Sequence, residues 1–471
     1  MSTSFIDIKR REPQYRENRT GDFRDVEVRP SLDEIRAQVS RCMNCGVPFC
    51  HAYGCPLGNM IPDANQAVSE GRMKDAYKIF SRTSPFPEFT SRVCPALCES
   101  ACCANLASGA VTIKQIEYAV IENAFEMGYV NENPPAFKSG SRVAIIGSGP
   151  AGLALADALN KMGHEVAVFE KSASAGGLLR CGIPDFKLEK WVVQRRVEVL
   201  KKRGVMFELG VEIGRDISAN YLRRKFDALC VCAGTQVPRD LKIAGRELGG
   251  IHFALEFLGS QNRANSGESS ELEISAKDKN VLIIGGGDTG SDCLGTAIRQ
   301  GAKKVVQIEI MPEPPAERHS STPWPMWEYK KRTSSSHKEG GERLWSVMSQ
   351  AFEGVDGKVK SLKASLCDWE FSKDGRPLKP ALREGSAFEI EADLVLISMG
   401  FTGVKREGLV EELGLELNER GMIKVGADFQ TSERGVFACG DSVNGPSLVV
   451  RAAASALDAA KSIDKYLRAK V

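Results

Sequence analysis

The sequence predicts an α/β fold with two Rossmann-like units, preceded by an α-helical, cysteine-rich region. Three observations predict it. Two β-branched runs, RVAIIG and NVLIIGGG, each open a strand–glycine turn–helix unit. Eight of the 14 cysteines lie between Cys42 and Cys103. Ahead of the first strand, SLDEIRAQVSRC and ANQAVSEGRMKDAYKIF carry apolar residues at helical spacing.

Composition narrows the class. Of 471 residues, 42% are hydrophobic and 26% charged, and the net charge is +2. With no basic block, neither nucleic acid nor a membrane surface is an expected partner. No run approaches the roughly 18 apolar residues of a membrane span. The opening MSTSFIDIKRREPQYREN lacks a secretory apolar core, so the expected location is cytoplasmic. In a reducing compartment, clustered thiols point to metal or cofactor ligation rather than to disulfides.

The elements follow in order. Residues 1–140 form the helical region, closed by the linker NENPPAFKSGSR. Residues 141–265 hold the first part of one dinucleotide-binding domain, and 266–385 hold a second such domain. Residues 386–471, with the runs ADLVLISMG and GVFACGD and an Ala-rich final helix, are expected to fold back onto the first.

In the first unit, Gly147, Gly149 and Gly152 form a GxGxxG turn: tight turn, close approach to a pyrophosphate, and helix–strand packing. Free amides and the helix dipole would hold the phosphates. Glu170, 23 residues after Gly147, ends the next strand, where a carboxylate accepts the hydroxyls of a ribose. Gly176 and Gly177 would let the flavin half of the dinucleotide pass. Gly440 and Asp441, after the strand-like VFAC, mark this dinucleotide as FAD: the aspartate would bond the ribityl chain, and a helix starting near Pro446 would face the flavin. Cys439, Cys230 and Cys232 read as buried packing.

The second unit repeats the turn with Gly285, Gly287 and Gly290 and supplies a nicotinamide site. Thr289 could donate to a phosphate, while Asp288 is expected to cap the helix. Glu309, 24 residues after Gly285, favours NADH. Arg318, and less directly His319, could instead pair with the 2′-phosphate of NADPH. The nucleotide stays open on these residues.

Cys42, Cys45, Cys50 and Cys55 fall within fourteen residues, followed by Cys94, Cys98 and Cys102 at helical spacing. This suits [4Fe-4S] clusters better than structural zinc, because tidy paired CxxC knuckles are missing. Two clusters need eight ligands; the eighth is Cys103 or a non-cysteine donor such as Glu117.

Taken together, RCMNCGVPFCHAYGCPLGNMIPD, RVCPALCES, VAIIGSGPAG, IIGGGDTGSD, PEPPAER, PWPMW and GVFACGD resemble the small (beta) subunits of bacterial glutamate synthase. Related modules occur in dihydropyrimidine dehydrogenase and in NADPH:ferredoxin reductase-type subunits. The resemblance implies FAD, two [4Fe-4S] clusters and NADPH as the usual donor. It further implies a large (alpha) subunit carrying FMN that makes glutamate from glutamine and 2-oxoglutarate. By that resemblance Cys42, Cys45, Cys50 and Cys102 hold one cluster, and Cys55, Cys94, Cys98 and Glu117 the other. The Cys94–Cys98 interval is shorter than in most members, which bears on how the ligands are shared. The expected activity is NAD(P)H oxidation with electrons leaving through the clusters. The alternatives are a reductase for another acceptor or a non-catalytic iron–sulfur scaffold. A disulfide reductase is disfavoured because the lone CxxC, Cys42–Cys45, lies outside the flavin region.

Overall fold

The computed structural model describes residues 7–372 and 377–469; residues 1–6 of the expected helical region lie outside the described residues. Helices at Leu32–Val39, Ile61–Ser69, Met73–Phe80, Pro87–Val93 and Ile113–Glu126 build the N-terminal region. Ser31 starts the first of these through a capping box: its hydroxyl accepts the Glu34 amide, and the Glu34 carboxylate accepts the Ser31 amide. The run ANQAVSEGRMKDAYKIF makes two helices rather than one, since Gly71 takes φ 75° between them. Ile35, Val39, Ile61, Phe80, Ile116 and Val120 form the core on which Cys50 and Cys102 rest.

The first Rossmann-like sheet is wholly parallel, ordered Val436–Ala438, Ala228–Val231, Arg142–Ile146, Glu165–Glu170, Met206–Leu209. The C-terminal strand Val436–Ala438 thus pairs with Ala228–Val231 in the first sheet. The last helix, Val449–Arg468, lays Ala453, Ala456 and Ala460 against the helix Pro150–Lys161, whose Ala154 and Ala158 share that core. Small side chains let two backbones approach closely.

The second sheet is also parallel, ordered Glu342–Leu344, Lys304–Ile308, Asn280–Ile284, Leu394–Ile397, Ile251–Phe253. Two of its strands, Ile251–Phe253 at one edge and Leu394–Ile397 beside it, lie beyond the 266–385 interval read from the sequence. Leu394–Ile397 pairs with Asn280–Ile284 here rather than joining the first sheet. A fully apolar strand covered on both faces carries no pattern that says which sheet it enters. A three-stranded antiparallel sheet, Val347–Val355, Lys358–Phe371 and Pro377–Glu391, packs against the second sheet through Phe352, Leu362 and Ile390. Among the described residues no helix is long and apolar enough to cross a membrane.

Candidate cofactor and nucleotide sites

Each glycine of the first turn has its own physical reason. A Cβ on Gly147 (φ 102°) would stand 2.6 Å from the Cys232 carbonyl oxygen, and one on Gly152 only 1.9 Å from the Gly147 carbonyl oxygen. A Cβ on Gly149 would meet nothing among the described residues within 4 Å. The protein itself therefore excludes side chains at the first and third glycines. At the second, the space at the helix N-terminus is open, which is where a pyrophosphate fits. The second turn repeats the arrangement. Gly285 (φ 126°) would meet the Ser398 carbonyl at 2.4 Å, Gly290 the Gly285 carbonyl at 2.3 Å, and Gly287 again nothing within 4 Å.

Glu170 is buried at the end of its strand. Its Oε2 accepts the Ser148 amide (3.0 Å) and hydroxyl (2.6 Å), and its Oε1 accepts the Ser172 amide (2.9 Å). A carboxylate offers about four lone-pair sites, so both oxygens keep capacity for a ribose. A cleft lined by Gly147, Glu170, Lys171, Val211 and Val404 opens beside it. Gly176 (φ 131°) and Gly177 (φ 53°) turn the next loop onto the same spot; a Cβ on Gly177 would lie 2.7 Å from the Gly149 Cα. Gly440 (φ 68°) comes so close to the first helix that a Cβ there would lie 2.6 Å from the Ala151 Cβ, which carries Asp441 to the same end of the sheet. Burial raises the Asp441 carboxyl above its usual range, and Ser447 donates to it at 2.6 Å. The long final helix begins at Val449 rather than near Pro446.

At the second turn, Glu309 follows the strand Lys304–Ile308. Its Oε2 accepts the Gly286 amide at 2.7 Å and its Oε1 the Met311 amide at 3.0 Å. This is the same mode of attachment that Glu170 uses. Asp288 does not cap its helix: Gly287 is the N-cap, no side chain bonds there, and Asp288 is the first helical residue. Thr289 follows it, half-buried in the first turn. Arg318 points elsewhere. It donates to the carbonyls of Thr322 (3.0 Å) and Met326 (2.7 Å) and to the Ser100 hydroxyl (3.3 Å), and it pairs with Glu328 at 3.4 Å. His319 bonds Ser321 within its own loop. Trp324 of the same loop packs against Phe49, with ring centroids 4.7 Å apart and the planes tilted by 49°.

The N-terminal cysteines sort into two neighbourhoods. Burial, with the charges of Cys102, Cys42 and Cys45, pushes the Cys50 thiol up to about 12. Burial, with Cys103, Cys102 and Cys42 nearby, pushes Cys45 up to about 11. In the other group, burial, with Glu117 and Cys55 adding charge, pushes Cys94 up to about 11. Cys98 is raised by burial and by Cys55, Glu99, Cys94 and Glu117. Gly54 lets the Cys50–Cys55 loop meet the helix Leu97–Ser100, since a Cβ there would lie 2.8 Å from the Cys98 Cα. Asn44 and Ala96 take left-handed backbone (φ 46° and 64°) between Cys42 and Cys45 and between Cys94 and Cys98. Glu117 is buried on its helix, accepts a bond from Thr90 at 2.8 Å, and is pushed up to about 8 by burial.

These donors fit iron–sulfur clusters. The cysteines are free thiols, and those raised by burial need a cationic centre to become thiolates. Among the described residues, no three of them have sulfurs all within 4.8 Å of one another.

One triplet does meet that limit: Cys230, Cys232 and Cys439, with sulfurs 3.4–3.9 Å apart. All three are buried in the first sheet. Their contact was invisible in the sequence, because the strands holding them become neighbours only on folding.

Comparison with known proteins agrees with this layout. Residues 19–129 match the family described as dihydropyrimidine dehydrogenase domain II, 4Fe-4S cluster. Residues 141–322 and 346–456 match pyridine nucleotide-disulphide oxidoreductase. A glutamate synthase [NADPH] small chain of Mycobacterium tuberculosis is 49% identical over 95% of this chain and 92% of its own length. The Bacillus subtilis small chain is 38% identical over 99% and 98%. Glutamate synthase [NADH] of Schizosaccharomyces pombe is 41% identical over 99% of this chain but 23% of its own. Mycobacterium tuberculosis FprA, solved in complex with NADPH, superposes at TM-score 0.55 with 19% identity over 70% of this chain and 85% of its own, a likeness of fold. With an iron–sulfur domain ahead of a two-turn oxidoreductase fold and this identity over nearly its full length, the chain is an NAD(P)H-dependent oxidoreductase and belongs to the glutamate synthase small-chain family.

Proposed function

We propose that this chain is the NAD(P)H-oxidising subunit of a cytoplasmic glutamate synthase. It hands electrons to a large FMN-containing subunit that makes glutamate from glutamine and 2-oxoglutarate. The observation that carries the reading is the coexistence, in one chain, of two dinucleotide turns built alike and eight clustered soft or acidic donors. When bound, FAD supplies two-electron hydride chemistry and the clusters supply one-electron transfer.

The protein's part is positioning. Gly149 and the amides opening the helix Pro150–Lys161 receive the FAD pyrophosphate, Glu170 receives its ribose, and Gly176, Gly177, Gly440 and Asp441 border the ribityl and flavin end. Gly285, Gly287, Thr289, Gly290 and Glu309 form the nicotinamide dinucleotide site. Cys42, Cys45, Cys50 and Cys102 hold one [4Fe-4S] cluster; Cys55, Cys94, Cys98 and Glu117 hold the other. The functional modules are a helical cluster module over about 1–140, a split FAD module and an inserted nucleotide module bounded by the second sheet.

The yeast relative supports the partnership, since its matching part is 23% of one longer glutamate synthase chain. The test is anaerobic purification with iron, sulfide and flavin analysis, titration with NADH and NADPH, and co-purification with the large subunit. Retained flavin and iron, bleaching by a reduced nucleotide, and a stable complex are expected. A colourless, iron-free chain refutes the reading.

A further inference from the structure

We propose that Cys230, Cys232 and Cys439 form a trithiol site for trivalent arsenic, which enters as arsenous acid and is held as a tris-thiolate bridging two neighbouring strands of the first sheet.

The fold brings the three thiols together. Ala228–Val231 and Val436–Ala438 run parallel with Phe437 opposite Cys230, and the Cys439 amide donates to the Val231 carbonyl at 3.2 Å. Cys230 and Cys232, two residues apart, point to one face of the sheet, and Cys439 meets them there from the neighbouring strand. The sulfurs stand 3.9 Å (Cys230–Cys439), 3.8 Å (Cys230–Cys232) and 3.4 Å (Cys232–Cys439) apart. Among the described residues, no other group of three Cys, His, Asp or Glu side chains has its ligand atoms all within 4.8 Å of one another. A Cβ on Gly152 would lie 3.5 Å from the Cys232 Cβ, so the helix Pro150–Lys161 covers the triplet.

Coordination and charge select the occupant. Thiolates prefer soft ions, but structural zinc almost always takes four ligands. Among the described residues no fourth Cys, His, Asp or Glu joins the three. Cys230, Cys232 and Cys439 are 0%, 5% and 0% exposed, within an apolar core that includes Leu153, Leu155 and Ala456. Three thiolates around zinc(II) leave a net negative charge in that core, and around copper(I) a larger one, which is costly without a counter-charge. Trivalent arsenic makes three bonds to sulfur and leaves no charge. Each thiol passes its proton to one hydroxyl of the acid. Three S–H and three As–O bonds break, three As–S bonds and three water molecules form, and no oxidation state changes. Arsenous acid is small and uncharged near neutral pH. Val436–Ala438 is an edge strand, so local opening there gives the acid its way in.

The test uses the full-length chain purified without oxygen, its iron retained. The protein is incubated with sodium arsenite, gel-filtered, and read by arsenic and iron analysis and by X-ray absorption at the arsenic edge. The native chain should retain stoichiometric arsenic, with three sulfurs and no oxygen around it. Cys230→Ala, Cys232→Ala and Cys439→Ala should each lose the retained arsenic. Cys293→Ala, which removes a buried thiol outside the triplet, should keep it. A native circular dichroism spectrum establishes that each variant is folded, and if one is not, the other two decide. Parallel incubation with zinc(II) should leave no metal that Cys439→Ala releases. The inference is overturned by no retained arsenic, by oxygen in its shell, or by full retention in the folded triplet variants. Iron lost in step with arsenic uptake, or zinc held by the native chain and released in Cys439→Ala, overturns it equally.

Discussion

At the scale of single residues, the glycines divide into those the fold needs and those the ligand needs. Gly152→Ala drives a Cβ to 1.9 Å from the Gly147 carbonyl oxygen, and overpacking of this kind costs about 1–3 kcal/mol; the urea midpoint of the flavin-free protein should fall accordingly. Gly149→Val adds bulk where nothing among the described residues stands within 4 Å. Its flavin-free stability should stay within about 0.5 kcal/mol of the native chain, yet flavin retained through gel filtration should drop sharply. His337 gives a pH signature. Burial, then Arg343 and Lys187, lower its imidazole to about 4, and it bonds the Gln307 side chain at 2.8 Å. The unfolded chain binds this proton below its ordinary value of about 6.5 while the folded one does not. Stability is therefore full above pH 6.5 and declines as pH falls toward 4. Because the ring is only partly buried, the loss is discounted to about 1–2 kcal/mol. Denaturation at pH 7 and pH 5 should show this decline in the native chain and a smaller one in His337→Asn.

At the scale of elements, what the sequence made legible was whatever is encoded locally. The two strand–turn–helix units were readable because three glycines, a buried strand and a terminal acid all fall within 30 residues. The antiparallel sheet over 347–391 was not: its pairing breaks at Ser349/Ala351 and Ser365/Cys367, which scrambles the alternation that would announce a strand. Arg318 misled for a related reason. Its position after the nucleotide strand suggested a phosphate, while its partner Ser100 lies 218 residues away. The cysteine spacing suggests ligation but is silent on grouping, which depends on Gly54 laying one segment on the helix that bears Cys98. On the proposed grouping, Cys98→Ala should halve the iron per chain. Cys103→Ser should leave it unchanged, measured by iron and sulfide analysis of anaerobic protein.

At the scale of the whole molecule, the helical region is fastened to both sheets by buried charge. Glu88, on Pro87–Val93, pairs with Arg196 on Lys190–Lys202, both side chains almost wholly buried. Glu339 pairs with Arg299 and with Arg19 near the N-terminus. Removing one member strands a buried charge, so Glu88→Ala should lose about 3–5 kcal/mol, read as a lower denaturation midpoint. The loop bearing Arg318 and Trp324 is the third fastening, and it places an indole on Phe49, the residue before Cys50. Iron–sulfur centres absorb across the near-ultraviolet and visible, so tryptophan emission arising there is quenched when that centre is filled. Trp324 thereby serves as an internal gauge of metal loading: its share of the fluorescence, isolated by comparison with Trp324→Phe, should brighten as iron is withdrawn by a chelator.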